Sequence, residues 1–256
     1  MKKSIIATLF LLIIASPLIN AVTFEKISGK RTFYMPELTA SMGETTYEVH
    51  SYEIDFPGDE YNSLQSAILK EVFGDKINPN ASFYSISENF LNTPLDEESN
   101  ERPQLTSNVP DENNWIQEMT VSGKVISQNS KLIVYEASKF TYMAAATHGL
   151  ESVSYLNYYI PTNKRLTLFD VLLKSKKSTI LKSLRKQAKI VARNSQCFSS
   201  PNDIPLSDTF YISSKGITFV YQPYEIACYA DGIIEITIPK SQLAGCLTTL
   251  GKKLIK

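Results

Sequence analysis

Hydrophobic and polar positions along this chain fall into segments with two distinct periods. Residues 46–56 alternate as a half-buried strand does. Tyr47, Val49 and Ser51 lie on one side, and Tyr52, Ile54 and Phe56 on the other after a change of register that predicts a bulge. Asp59 then caps a helix running to Phe73, with Leu64, Ile68, Leu69, Val72 and Phe73 along its buried stripe and Gly74 ending it. Residues 78–114 are rich in Asn, Ser, Pro and acid, which predicts a long surface excursion with residues 83–90 ordered inside it.

From Trp115 the pattern turns strand-like. Residues 115–128 and 131–143 form two long β-rich runs joined at Asn129-Ser130, and residues 153–160 form a third, followed by a turn and a short strand at 165–168. Residues 178–192 read as a second helix with Leu181, Leu184, Ala188 and Val191 inward. Residues 210–212 and 217–221 flank a hairpin turn, residues 233–238 make another strand, and a last helix after Pro239 buries Leu243, Cys246, Leu247 and Leu250. Irregular alternation with hairpin joints predicts an α+β fold with mainly antiparallel sheets and helices packed on one side, in two subdomains at 22–114 and 115–256.

The first 21 residues change the picture of where the protein works. Lys2 and Lys3 precede an apolar run from Ser4 to Ile14, Pro17 breaks it, and Ala21 suits the position before a signal peptidase cut, so Val22 is the expected first residue of the exported product. The run is too short to span a bilayer as a helix. An uncleaved anchor is the alternative. No cysteine lies near the cut, so a lipoprotein is not expected, and the product is expected in the periplasm or the medium without a membrane span.

Removing 21 of 256 residues leaves 235, enough for one large domain or two small ones, and leaves 24 basic against 26 acidic residues. That balance argues against nucleic acid as a partner. The charges are nonetheless segregated. Residues 88–118 hold eight acidic residues and one basic one, Arg102, whereas residues 174–193 hold eight basic residues and no acidic one. The basic helix face suits anionic groups or, more plainly, a solvated surface.

Enzyme chemistry finds little support. There are two histidines, His50 and His148, neither with a partner at metal-ligand spacing, and there is no HExxH, GxSxG or Walker motif. Ser183-Leu184-Arg185-Lys186 matches SxxK, but Ser207-Asp208-Thr209 does not supply the companion SDN. No catalytic residue, metal or cofactor is expected. Three cysteines leave at least one unpaired within the chain. Cys246 lies on the apolar stripe of the last helix as a buried thiol, while Cys197 and Cys228 lie outside regular elements, which predicts a Cys197–Cys228 disulfide.

Two further segments carry a resemblance. Phe219-Val220-Tyr221-Gln222-Pro223-Tyr224-Glu225-Ile226-Ala227-Cys228-Tyr229-Ala230-Asp231-Gly232 leads into a strand ending in Pro239, and Tyr142-Met143-Ala144-Ala145-Ala146-Thr147-His148-Gly149 lies upstream with Arg165-Leu166-Thr167-Leu168-Phe169-Asp170. Together these resemble the "PYEIAPYA", "YTGGAHG" and "LTLxDLF" segments of the RsiV/PdaC-like domains, over residues 115–250. Alanines stand here for the glycine pair and Cys228 for a proline. The resemblance implies an extracytoplasmic domain that recognises cell-wall material or a protein such as lysozyme. It does not bring the deacetylase catalytic domain.

Tyr221, Tyr224, Glu225, Tyr229 and His148 are the candidate binding residues. Aromatic rings suit stacking on sugars and Glu225 can accept hydroxyl hydrogen bonds; a purely structural corner is the alternative. A non-catalytic binding domain for envelope glycan or a protein partner is thus the leading expectation. A lysozyme-binding or inhibitory protein comes second, with the acidic segment steering a basic partner, and a cell-wall hydrolase or deacetylase third.

Overall fold

The computed structural model describes residues 21–78, 81–93, 95, 104–106, 115–144, 146–195 and 197–255. In chain order the elements are β1 (Phe24–Tyr34), α1 (Pro36–Met42), β2 (Thr46–Pro57), α2 (Asn62–Phe73), α3 (Phe83–Asn92), β3 (Gln104–Leu105), β4 (Trp115–Gln128), β5 (Leu132–Tyr142), β6 (Leu150–Tyr159), β7 (Lys164–Arg165), α4 (Leu168–Val171), α5 (Lys177–Val191), β8 (Phe210–Ser213), β9 (Gly216–Tyr221), β10 (Ile234–Pro239), α6 (Lys240–Leu243) and α7 (Thr249–Leu254). The fold is α+β with mainly antiparallel pairing, as expected. A seven-stranded sheet runs β3-β1-β2-β4-β5-β6-β7 and a three-stranded sheet runs β10-β9-β8. Residues 1–20, most of the expected signal segment, and most of the acidic stretch lie outside the described residues.

Alternation on β5 and β6 explains how the large sheet is covered. Ile133, Tyr135 and Ala137 of β5, with Leu156 and Tyr158 of β6, join Leu64, Ile68, Leu69 and Val72 of α2 in one core. Leu132 and Val134 of β5, with Val153 and Tyr155 of β6, join the small sheet and Ile180, Leu184 and Ala188 of α5 in a second core. Successive strand residues point to opposite faces, so two adjacent strands serve both cores at once. Each fully buried Leu, Ile or Val adds about 1.5–3 kcal/mol. Asn157, on the second face, donates to Phe210 O at 2.8 Å and accepts from Ile212 N–H at 2.9 Å, which closes the outer edge of β8.

β2 and β4 are parallel neighbours, Thr46 opposite Trp115 through Ile54 opposite Gly123. Parallel pairing needs a crossover, and the excursion between them, with α2 and α3, supplies it. The expected division near residue 115 thus falls between two hydrogen-bonded strands of one sheet. β1 pairs with β2 along its whole length, Phe24 opposite Pro57 to Tyr34 opposite Tyr47, and the polar residues of β1 do not alternate strongly enough to announce it.

Three local expectations are corrected. β2 carries no bulge, since its pairing with β1 and β4 is continuous; it is buried on both faces from Thr46 to His50, which blurs its alternation. The bulge lies in β4 between Val125 and Ser127. Residues 165–168 do not form one strand: β7 stops at Arg165 and α4 begins at Leu168. The last helix is two helices, because Thr248 caps α7 through its hydroxyl, which accepts from Gly251 N–H at 3.0 Å.

α4 carries a cap with a measurable pH signature. The Asp170 carboxylate accepts from Thr167 N–H and from the Thr167 hydroxyl, each at 2.8 Å, and pairs with Lys164 at 2.7 Å. Partial burial pushes this carboxyl up, but the Lys164 ammonium and the two Thr167 donors together outweigh it and hold it below the usual aspartate value. A lowered folded value contributes stability above the unfolded value, and that stability is lost as pH falls through the folded one. Asp170→Ala is expected to cost about 1 kcal/mol at neutral pH. In urea titrations its deficit against wild type should shrink once pH drops below the ordinary aspartate range; a deficit independent of pH would contradict the ionic cap.

Candidate functional site

The aromatic strand β9 ends at Tyr221, and the chain turns at once through Gln222-Pro223-Tyr224-Glu225, closed by Glu225 N–H donating to Gln222 O at 3.1 Å. Proline fixes the second position, and the third takes φ +69° at Tyr224. This is the type II turn pattern, whose third position favours Gly or Asn. A tyrosine there costs about 1–2 kcal/mol in backbone strain. The surroundings hold it in place. The Glu225 carboxylate accepts from Gln222 N–H at 2.8 Å. The Gln222 side chain donates to Val153 O at 2.8 Å and accepts from Val153 N–H at 2.9 Å, standing in for a missing strand neighbour on the open edge of β6.

Downstream, the Cys197–Cys228 disulfide is present, with Cα atoms 5.7 Å apart, and Cys246 is a buried free thiol. Ser199 N–H donates to Ile226 O at 2.7 Å, so the 197–199 segment lies along the turn. A short 3-10 turn at Tyr229–Asp231 follows, and Gly232 at φ +64° sends the chain into β10. Asp231 accepts from the Ser195 hydroxyl across the same junction.

His148 reaches the turn from the loop joining β5 and β6. Gly149 permits this approach, because a Cβ there would sit 2.3 Å from the Phe140 ring. His148 Nδ1–H donates to Gly149 O at 3.0 Å, which leaves Nε2 to accept from the Tyr224 hydroxyl at 3.1 Å. The imidazole stacks on Tyr229 with ring centroids 3.8 Å apart and planes 18° apart, and Tyr224 stands 5.8 Å from Tyr229. Tyr224 is 60% exposed. Tyr224 and Tyr229 of the β9–β10 connection and His148, 76 residues upstream of Tyr224, thus present one aromatic surface, with Glu225 exposed beside it and one carboxylate oxygen without a partner among the described residues.

Of the five residues singled out in the sequence, four meet here and one does not. Tyr221 is fully buried and its hydroxyl donates to Pro205 O at 2.7 Å, so it supports the face from beneath. Burial, with the Glu225 charge adding to it, pushes its phenol well above the usual tyrosine value. Gln222 was not singled out; the signal for it was its place immediately before Pro223.

The arrangement suits stacking and hydrogen bonding more than bond cleavage. His148 Nε2 is occupied by Tyr224. Among the described residues, donor atoms close enough to share a metal occur at Cys197, Cys228 and Asp231, where the two sulfurs are bonded to each other.

Residues 151–241 match the family DUF3298, described as a protein of unknown function. Two solved structures share the fold. A member of the DUF3298 family from Bacteroides fragilis superposes with a TM-score of 0.69 at 19% identity, covering 89% of this chain and 94% of the other. A DUF3298 family protein from Pseudomonas aeruginosa gives 0.61 at 17% identity, covering 91% and 97%. No curated protein shows a significant match.

Proposed function

We propose that this is an exported binding protein whose His148, Tyr224 and Tyr229 face, with Glu225 at its side, recognises peptidoglycan-type glycan of the cell envelope. The observation that carries the reading is Tyr224, a largely exposed tyrosine kept at positive φ in a turn that a glycine would occupy without strain. Strain of this kind persists where a side chain is wanted at that point. Stacked tyrosine and imidazole rings offer apolar faces to the C–H side of a pyranose, and the free Glu225 oxygen can accept from a hydroxyl.

Export is supported by the charged, apolar and small-residue order of residues 1–21, and by a disulfide suited to an oxidising compartment. No helix among the described residues is long and apolar enough to cross a membrane. The likeness to RsiV/PdaC-like domains supports the same reading.

Tyr224→Gly is the discriminating variant, because glycine relieves the turn while removing the ring. Sedimentation with insoluble peptidoglycan should show about tenfold weaker binding, corresponding to about 1.4 kcal/mol, while the melting temperature stays level or rises. Tyr229→Ala should weaken binding similarly. Wild-type binding by both variants would overturn the proposal, and soluble muropeptides released by the wild-type chain would favour a hydrolase instead.

A further inference from the structure

The basic helix α5 breaks the electrostatic rules for a helix that is merely solvated. Its first turn holds no acidic residue, and Lys174, Lys176 and Lys177 gather where the helix dipole is positive. Lys182, Arg185, Lys186 and Lys189 follow at i, i+3, i+4 and i+7, which puts four like charges on one side of the helix. Surface helices normally intersperse opposite charges along such a face. Among the described residues none of Lys182, Lys186 and Lys189 has an ion-pair or hydrogen-bond partner.

These four cations line a groove of about 850 Å³ together with Asn202 and Gln242. Among the described residues no carboxylate lines it; Asp203, next in sequence to Asn202, stays outside the lining. Arg185 is half-buried, and its Nε–H donates to Ile204 O at 3.3 Å, which orients the guanidinium and leaves its terminal nitrogens for a ligand. Concave shape, unneutralised charge and one oriented arginine coincide. A sequence that keeps such a local conflict usually does so at a working site.

We infer that the α5 groove binds a phosphorylated sugar carrying at least two phosphate groups. The guanidinium fork matches a phosphate bidentately, and lysines act as point charges for a second one. Lys182 to Lys189 spans roughly 10 Å of helix, enough for two phosphates on one sugar. The Asn202 and Gln242 amides in the same lining suit hydrogen bonds to sugar hydroxyls. The groove shares no residue with the aromatic face, so this site stands or falls independently of the glycan reading.

Calorimetric titration of the purified chain with glucose 1,6-bisphosphate tests it, with inorganic phosphate and phosphatidylglycerol vesicles as parallel arms. Binding of the bisphosphate should exceed that of phosphate and weaken as salt is raised. Arg185→Lys should weaken it about tenfold, through loss of the bidentate contact. Lys182→Gln, Lys186→Gln and Lys189→Gln combined should abolish it without lowering the melting temperature, since these side chains hold no internal partner. No bisphosphate binding by the wild type, or equal binding by the triple variant, would overturn the inference. Capture on the vesicles without bisphosphate binding would overturn it in favour of a lipid surface.

Discussion

Glu48→Ala should destabilise this protein by about 3–5 kcal/mol, the cost of leaving a buried charged network without one partner. Glu48 and His50 are both fully buried on β2. The Glu48 carboxylate accepts from Leu95 N–H at 3.0 Å and from the Gln117 side chain on β4, and its Oε1 lies 2.7 Å from His50 Nε2. That approach is close enough for an ion pair but poorly aligned for a hydrogen bond, so Nε2 depends on the carboxylate alone. His50 Nδ1–H donates to Phe90 O at 3.2 Å, and the rings of Phe33 and Phe90 surround the imidazole. The cluster therefore ties β2 to β4, to the end of α3 and to Leu95.

Chemical denaturation should show Glu48→Gln losing less than Glu48→Ala, because an amide keeps the packing and one acceptor oxygen, enough for either Leu95 N–H or the Gln117 side chain. The Glu48→Ala, His50→Ala double variant should lose less than the sum of the two singles. Additive losses, or a Glu48→Ala cost under about 1 kcal/mol, would show that the two side chains are not coupled.

Removing the Cys197–Cys228 bond should cost about 3–4 kcal/mol, since the bridge closes a loop with a sequence separation of 31. Cys197→Ser and Cys228→Ser should each shift the denaturation midpoint by similar amounts, and a reductant should reproduce the shift in the wild type alone. Peptide mapping without reduction should return the 197–228 link and a single thiol, Cys246, that alkylates only after unfolding because it is 3% exposed. The consequence reaches the candidate site. Cys228 immediately precedes Tyr229, so loss of the bond should also weaken glycan binding in the sedimentation assay. Undiminished stability after reduction would remove the bridge from any structural role.

Particular residues show how far the sequence could be read. The α2 stripe of Leu64, Ile68, Leu69 and Val72 was legible because helical period and burial agree on one face. α5 was legible too, although Ile180 rather than Leu181 proved fully buried. β1 escaped notice because an edge-side strand with Glu25, Lys26, Lys30 and Arg31 has no apolar alternation to betray it. The Glu48–His50–Gln117 cluster escaped for the opposite reason. Three polar residues in strands normally signal a solvated face, and only the parallel pairing of β2 with β4 turns them inward.

The α+β class, the long β4–β5 hairpin, the pairing of Cys197 with Cys228 and the chemical types gathered near Tyr224 can all be read from the order of residues. These follow from local periodicity, turn residues and side-chain chemistry, which act over a few positions. Folding settles the rest: β2 and β4 run parallel, Tyr221 goes inside while Tyr224 stays out, and His148 stacks on Tyr229 from 81 residues away. Those outcomes depend on which surfaces meet once the chain has crossed over itself, and the free energy of such a meeting belongs to the pair of surfaces and to neither segment alone.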